Sequence, residues 1–200
     1  PQVTRNTLFL NRGDLTFAEI AQLSGLDATD WSWCPIFLDV DLDGYEDLLI
    51  ATGNLFDTQD QDAEVRINAM GPWPRQKLPQ KLLQYPPLLL PKVTFRNRGD
   101  LTFEEVGAAW GFDRIGVAHG MCLADLDEDG DLDVVANQLN AAAGLYRNES
   151  TAPRLAIRLQ GNLSNTRGIG ASIAVSGGPV PIQSQQMISG GRYLSSDDSM

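Results

Sequence analysis

The sequence predicts an all-β protein assembled from a tandem repeat, and three observations carry that expectation. The heptapeptide NRGDLTF occurs at Asn11 to Phe17 and returns at Asn97 to Phe103. The aspartate-rich pattern DxDxDGxxD occurs at Asp39 to Asp47 and at Asp125 to Asp133, with the same offset of 86 residues for both signals. The segments after these loops, LLIATG (Leu48 to Gly53) and LDVVANQ (Leu132 to Gln138), are apolar, rich in β-branched residues and of strand length.

Taken in order, each unit opens with an alternating strand, TLFLN from Thr7 or VTFRN from Val93. A turn at Arg-Gly-Asp follows. There Gly supplies a positive φ, while Asn and Asp bond to the local backbone, so the tripeptide reads as a hairpin turn and not as an adhesion ligand. Thr-Phe re-enters a second short strand, and the acidic loop and its following strand complete the unit. The units run from about 7 to 53 and from 93 to 138, and a third copy starts with GLYRN at Gly144 to Asn148. Residues 54–92 fit neither half of the unit and hold six of the eleven prolines, which predicts an insertion that is mostly extended or looping. A short helix fits Ala63 to Met70, and Trp73 is the residue that would make this insertion a binding loop.

Composition sets outer bounds. With 200 residues, 42% of them hydrophobic, the chain has enough apolar mass for a real core. No apolar run approaches the length of a membrane-spanning helix. The chain opens in mid-pattern and stops at Ser199-Met200 without a closing element, which suggests a piece of a longer protein. The net charge of −11 is local: the two acidic segments hold 5 and 6 acids and no Lys or Arg, leaving 15 acids against 15 bases elsewhere. Carboxylates about 5 Å apart repel by about 3 kcal/mol per pair at an effective dielectric near 20, so each loop calls for a cation. The absence of a basic patch argues against a nucleic-acid partner.

The loop spacing says which cation. Asp39, Asp41, Asp43 and Asp47 fall at loop positions 1, 3, 5 and 9, as do Asp125, Asp127, Asp129 and Asp133, and the backbone oxygens of Tyr45 and Asp131 at position 7 turn inward. Gly44 and Gly130, at position 6, allow the sharp curl. Oxygen-only ligands select a hard ion, and four carboxylates suit the flexible coordination of calcium better than the octahedron of magnesium. Two calcium sites are expected, with Glu46 and Glu128 facing solvent. An EF-hand is excluded because its twelfth position, a bidentate Glu, is here Ile50 or Ala136, inside strands.

These residues resemble FG-GAP/VCBS repeats, the β-propeller blades of integrin α-subunits and many secreted bacterial proteins. The order strand, NRGD-type turn, TF, GL, acidic loop also resembles the cartilage acidic protein family. There the repeats precede an ASPIC/UnbV domain, and RLAIRLQGNLSNTRGIGASIAVSGG (Arg154 to Gly178) with SGGRYLSSDD (Ser189 to Asp198) looks like the start of one. The resemblance implies calcium-loaded propeller blades over residues 1–152 and a small, truncated β-module over 153–200. Two units and a fragment do not close a propeller ring, so exposed blade edges and self-association are expected.

Catalytic constellations are absent from the sequence. His119 is the single histidine, it aligns with Trp33 of the first unit, and it reads as a satisfied, partly buried side chain. Cys34 and Cys122 are not repeat equivalents; they are free core thiols, or a disulfide if the strands of two blades lie close. The tryptophans fit a blade core as readily as a sugar platform. GIGAS (Gly168 to Ser172) fails GxGxxG and reads as a turn into a strand. The functional expectation is a non-catalytic, calcium-stabilised extracellular binding or scaffolding domain, secreted, periplasmic or on the cell surface, that engages a protein or carbohydrate. The alternative is an accessory region of a larger enzyme.

Overall fold

The computed structural model describes residues 5–162 and 164–195. Leu163 and residues 196–200, which include the end of the Ser189 to Asp198 stretch, lie outside the described residues. Strands dominate and all sheets are antiparallel. The chain begins with the hairpin β1 (Phe9–Asn11) and β2 (Phe17–Glu19), in which Leu10 lies opposite Ala18. Its turn is built as its letters require. Asn11 Oδ1 accepts the Gly13 N–H at 2.8 Å, Asp14 Oδ1 accepts the Thr16 N–H at 3.0 Å, and Gly13 sits at φ 79°. A one-turn helix, α1 (Ala21–Ser24), ends at Gly25, which takes the left-handed conformation at φ 73°.

β3 (Ser32–Leu38) and β4 (Asp47–Thr52) flank the first acidic loop and pair with Ile36 opposite Leu49. The 54–92 insertion contains α2 (Gln61–Ala69), a 3-10 turn at Arg75–Lys77 and α3 (Leu78–Leu82), so it is more helical than its proline content predicts. Pro74 caps the 3-10 turn and Pro79 lies in the first turn of α3, places where a missing N–H costs nothing. Asp60 caps α2 by accepting the Ala63 N–H at 2.8 Å. The insertion has its own small core of Ala63, Ile67 and Tyr85 with Phe56 and Trp73. Trp73, the residue that would make the insertion a binding loop, is half-buried against this core and donates its indole N–H to Ile67 O at 3.1 Å. Asn54 and Leu88 exchange backbone hydrogen bonds of 3.0 and 2.9 Å at its base.

Then follow β5 (Leu90–Pro91), β6 (Val93–Asn97), β7 (Phe103–Glu105), α4 (Gly107–Trp110), β8 (Ile115–Gly116), β9 (Met121–Ala124), β10 (Asp133–Ala136), β11 (Gly144–Tyr146), β12 (Ser172–Ser176) and β13 (Ile182–Gln186). The turn between β6 and β7 repeats that of β1 and β2, with Asn97 Oδ1 on the Gly99 N–H at 2.9 Å and Gly99 at φ 75°. β3-β4-β6-β7 form a four-stranded sheet and β11-β10-β9 a three-stranded one, beside the hairpins β1-β2 and β12-β13 and the pair β5-β8. The larger sheet thus joins the acidic hairpin of one sequence unit to the Arg-Gly-Asp hairpin of the next. Gly168 to Ser172 turns into β12, as its sequence predicts.

β4 explains its own composition. All six of its residues are buried, because Leu49 and Ala51 face a cluster shared with Met121, Leu123 and Val134 of the three-stranded sheet, while Leu48 and Ile50 face Leu26, Phe95 and Leu8 on the other side. A strand covered on both faces carries a continuous apolar run where a half-exposed one would alternate.

Candidate metal centre

Both acidic loops fold on the same internal hydrogen bonds. In the first, Asp39 accepts the N–H groups of Asp43 at 3.0 Å and Gly44 at 2.9 Å, and Asp43 accepts that of Tyr45 at 3.0 Å. In the second, Asp125 accepts from Asp129 at 3.1 Å and Gly130 at 2.9 Å, and Asp129 from Asp131 at 3.1 Å. The curl needs glycine at position 6: Gly44 and Gly130 lie at φ 97° and 93°, and a Cβ on Gly44 would meet Val180 at 2.9 Å.

The last aspartate of each loop ties it to a neighbouring strand. Asp47 is fully buried and accepts the N–H groups of Val40 at 2.9 Å and Asn97 at 2.8 Å. Asp133 is equally buried and accepts those of Leu126 and Asn148, both at 2.8 Å. One carboxylate therefore closes the loop and fixes the strand that enters next to it.

Carboxylate oxygens of Asp39, Asp41 and Asp43 lie within 4.8 Å of one another, and so do those of Asp125, Asp127 and Asp133. The four-carboxylate sets expected from the spacing are therefore brought together three at a time. Asp47 is outside the first group and Asp129 outside the second. Asp47 points both oxygens at backbone donors, as Asp133 does from within the second group, and Asp129 faces its own turn and Arg154. Tyr45 lies exposed over Gly99, and the buried carboxylate of Asp131 meets Arg154 Nη1 at 2.6 Å. Glu46 and Glu128 are exposed, as expected, and Ile50 and Ala136 lie in β4 and β10.

These donor sets fit a hard divalent cation. Asp41 Oδ1 is buried without a hydrogen-bond partner, a cost that a cation would offset. Burial raises the pKa of Asp39 and pushes that of Asp47 up to about 7, so desolvation disfavours negative charge here and a bound cation would offset that cost. The carboxylates are not alone, however. Arg96 Nη2 reaches Asp41 Oδ2 at 2.7 Å and Asp43 Oδ2 at 3.1 Å, Arg147 Nη1 reaches Asp127 Oδ2 at 3.5 Å, and Arg154 Nη1 reaches Asp129 Oδ1 at 3.5 Å. Sequence reasoning, which found no base inside either loop, missed these three. The available signal for Arg96 and Arg147 was the shared Arg-Asn pair in VTFRN and GLYRN.

Elsewhere, Cys34 and Cys122 are free thiols. The His119 ring packs tilted against Trp33 with centroids 4.4 Å apart, and its Nε2 is buried without a hydrogen-bond partner, contrary to the expected satisfied histidine. Tyr193 also stacks on Trp33, with ring centroids 5.2 Å apart, and the Trp33 indole N–H bonds to Gly53 O at 2.7 Å. The Arg-Gly-Asp carboxylates are engaged within their own turns, where the Thr16 and Thr102 hydroxyls hold Asp14 and Asp100 below the usual carboxylate range. Lys92 is buried, donates to Arg114 O at 3.1 Å, and is pushed down to about 8 by burial.

Fold and loops together define an antiparallel β protein with two aspartate-rich hairpin loops suited to a hard cation. No protein-family model matches the chain, and no curated protein matches it.

Proposed function

We propose that this chain is a calcium-stabilised, non-catalytic binding or scaffolding module of the FG-GAP/VCBS type, working outside the cytoplasm and engaging a protein or carbohydrate surface. The observation that carries this reading is the matched pair of loops: the same carboxylate-to-backbone bonds recur 86 residues apart, each around a group of three converging carboxylates. Calcium, when bound, supplies the positive charge that lets these carboxylates stay together. The chain's own residues do the rest. Asp39 and Asp125 hold the loop curled, Asp41, Asp43 and Asp127 present oxygens, and Asp47 and Asp133 transmit the loop position to β6 and the segment after β11. The four-stranded antiparallel order β3-β4-β6-β7 supports the propeller-blade reading, since such a blade is a four-stranded antiparallel sheet. Calorimetric titration of the calcium-stripped chain tests the reading: two bound calcium ions per chain are expected, and any other stoichiometry counts against it.

A further inference from the structure

Arg96 and Arg147 occupy one register position. β6 pairs with β4 so that Phe95 faces Leu48, and β11 pairs with β10 so that Tyr146 faces Val134; the next residue in each case is the arginine, followed by the asparagine that the loop's last aspartate holds. Both guanidiniums turn toward the loop carboxylates. In β1, which pairs with β2 alone and has no acidic hairpin beside it among the described residues, the same position is Leu10.

The contacts are unequal. Arg96 touches two of the three converging carboxylates of the first loop, at 2.7 and 3.1 Å. Arg147 touches one of the second loop's three at 3.5 Å and is also engaged by Glu149. Arg154 pairs with Asp129 and Asp131, neither of which belongs to the converging group, so a cation there need not displace it.

We propose that Arg96 is a resident counterion that competes with the divalent cation at the first loop, so that this loop binds cation more weakly than the second. Resting on the calcium reading of the loops, the inference adds a graded response: the second loop fills first, and the first fills only when cation activity is high enough to displace the guanidinium. Arg96 is 46% exposed, so its side chain can swing into water without disturbing the sheet. Exposed ion pairs are individually weak, and losing two of them, with the like charge next to the cation, should tighten binding about three- to tenfold.

The test is calcium titration of the stripped 200-residue chain by calorimetry, for wild type, Arg96→Gln, Arg96→Lys and Arg147→Gln. Wild type should show two distinguishable affinities. Arg96→Gln should tighten the weaker site about three- to tenfold, Arg96→Lys should stay near wild type because it keeps the charge, and Arg147→Gln should change neither site by more than about twofold. If wild type takes up two ions and Arg96→Gln leaves both affinities unchanged or weakens one, the competition is wrong while the calcium reading stands. If wild type takes up none, the calcium reading falls and the competition with it.

Discussion

Asp47→Ala and its counterpart Asp133→Ala should be among the most damaging single changes in this chain. Each removes the carboxylate that accepts from two part-buried backbone N–H groups, those of Val40 and Asn97 at 2.9 and 2.8 Å, or those of Leu126 and Asn148 at 2.8 Å each. A buried donor left without a partner costs about 1–3 kcal/mol, and a bond to a charged acceptor contributes about 1.5–3 kcal/mol. Relief from burying the carboxylate works in the opposite direction, and at Asp47, where burial raises the pKa to about 7, it is substantial. In calcium that relief shrinks, because the cation already balances the charge. The expected net loss in calcium is about 3–5 kcal/mol per substitution, which for a domain of this size lowers the melting temperature by about 10 °C. Urea unfolding followed by tryptophan fluorescence in millimolar calcium measures it, with the midpoint shift read at constant slope. Asp100→Ala is the control, since that carboxylate serves only an exposed turn. If either buried aspartate costs no more than Asp100, these carboxylates do not hold the strands together.

Stripping divalent cation from the wild type should lower its melting temperature, since an ion that binds only the folded chain adds about 2.7 kcal/mol per site at a hundredfold excess over its dissociation constant. Equal melting in excess chelator and in millimolar calcium would end the structural role of the ion, and magnesium should restore less than calcium does. Lys92 has its pKa depressed to about 8 from 10.5, so between those values the unfolded chain holds a proton that the folded chain has released. Stability should therefore rise across that window by up to about 3 kcal/mol, with the full penalty present below pH 8; an identical slope in Lys92→Met would refute this. Phe9 is 61% exposed, whereas Phe95 at the matching position, against β4, is 7% exposed. The edge of β1, unpaired among the described residues, should make the chain self-associate at high concentration, and sedimentation should show Phe9→Asp to be more monomeric than wild type.

Local features were legible in the sequence because their causes are local. The hairpin turns follow from Asn-x-Gly-Asp, the loop curl from Gly44 and Gly130, and the burial of β4 from its unbroken apolar run. Pairing between distant segments was not legible. Nothing in LLIATG announces that its partner is VTFRN on the far side of the insertion, because backbone pairing carries no letter code and register is decided by which faces can be buried. For the same reason the arginines escaped notice: they lie 53 residues beyond the first loop's Asp43 and 20 beyond the second loop's Asp127, and only the strand register brings them over the carboxylates. The insertion misled through its prolines, which break helices in their interiors but are accepted in their first turns.

The paired backbone bonds of Asn54 and Leu88 have a consequence for engineering. Between β4 and β6 lie 40 residues, whereas β10 and β11 make the equivalent connection with 7. Loop-closure entropy for the longer path exceeds that for the shorter by only about 1.5 kcal/mol. Everything from Leu55 to Pro87 is pinched off at its base and has its own apolar cluster, so it is attached to the sheet in the manner of a cassette. A foreign segment whose ends lie close together would be accepted between Asn54 and Leu88 and displayed from a sheet already closed beneath it.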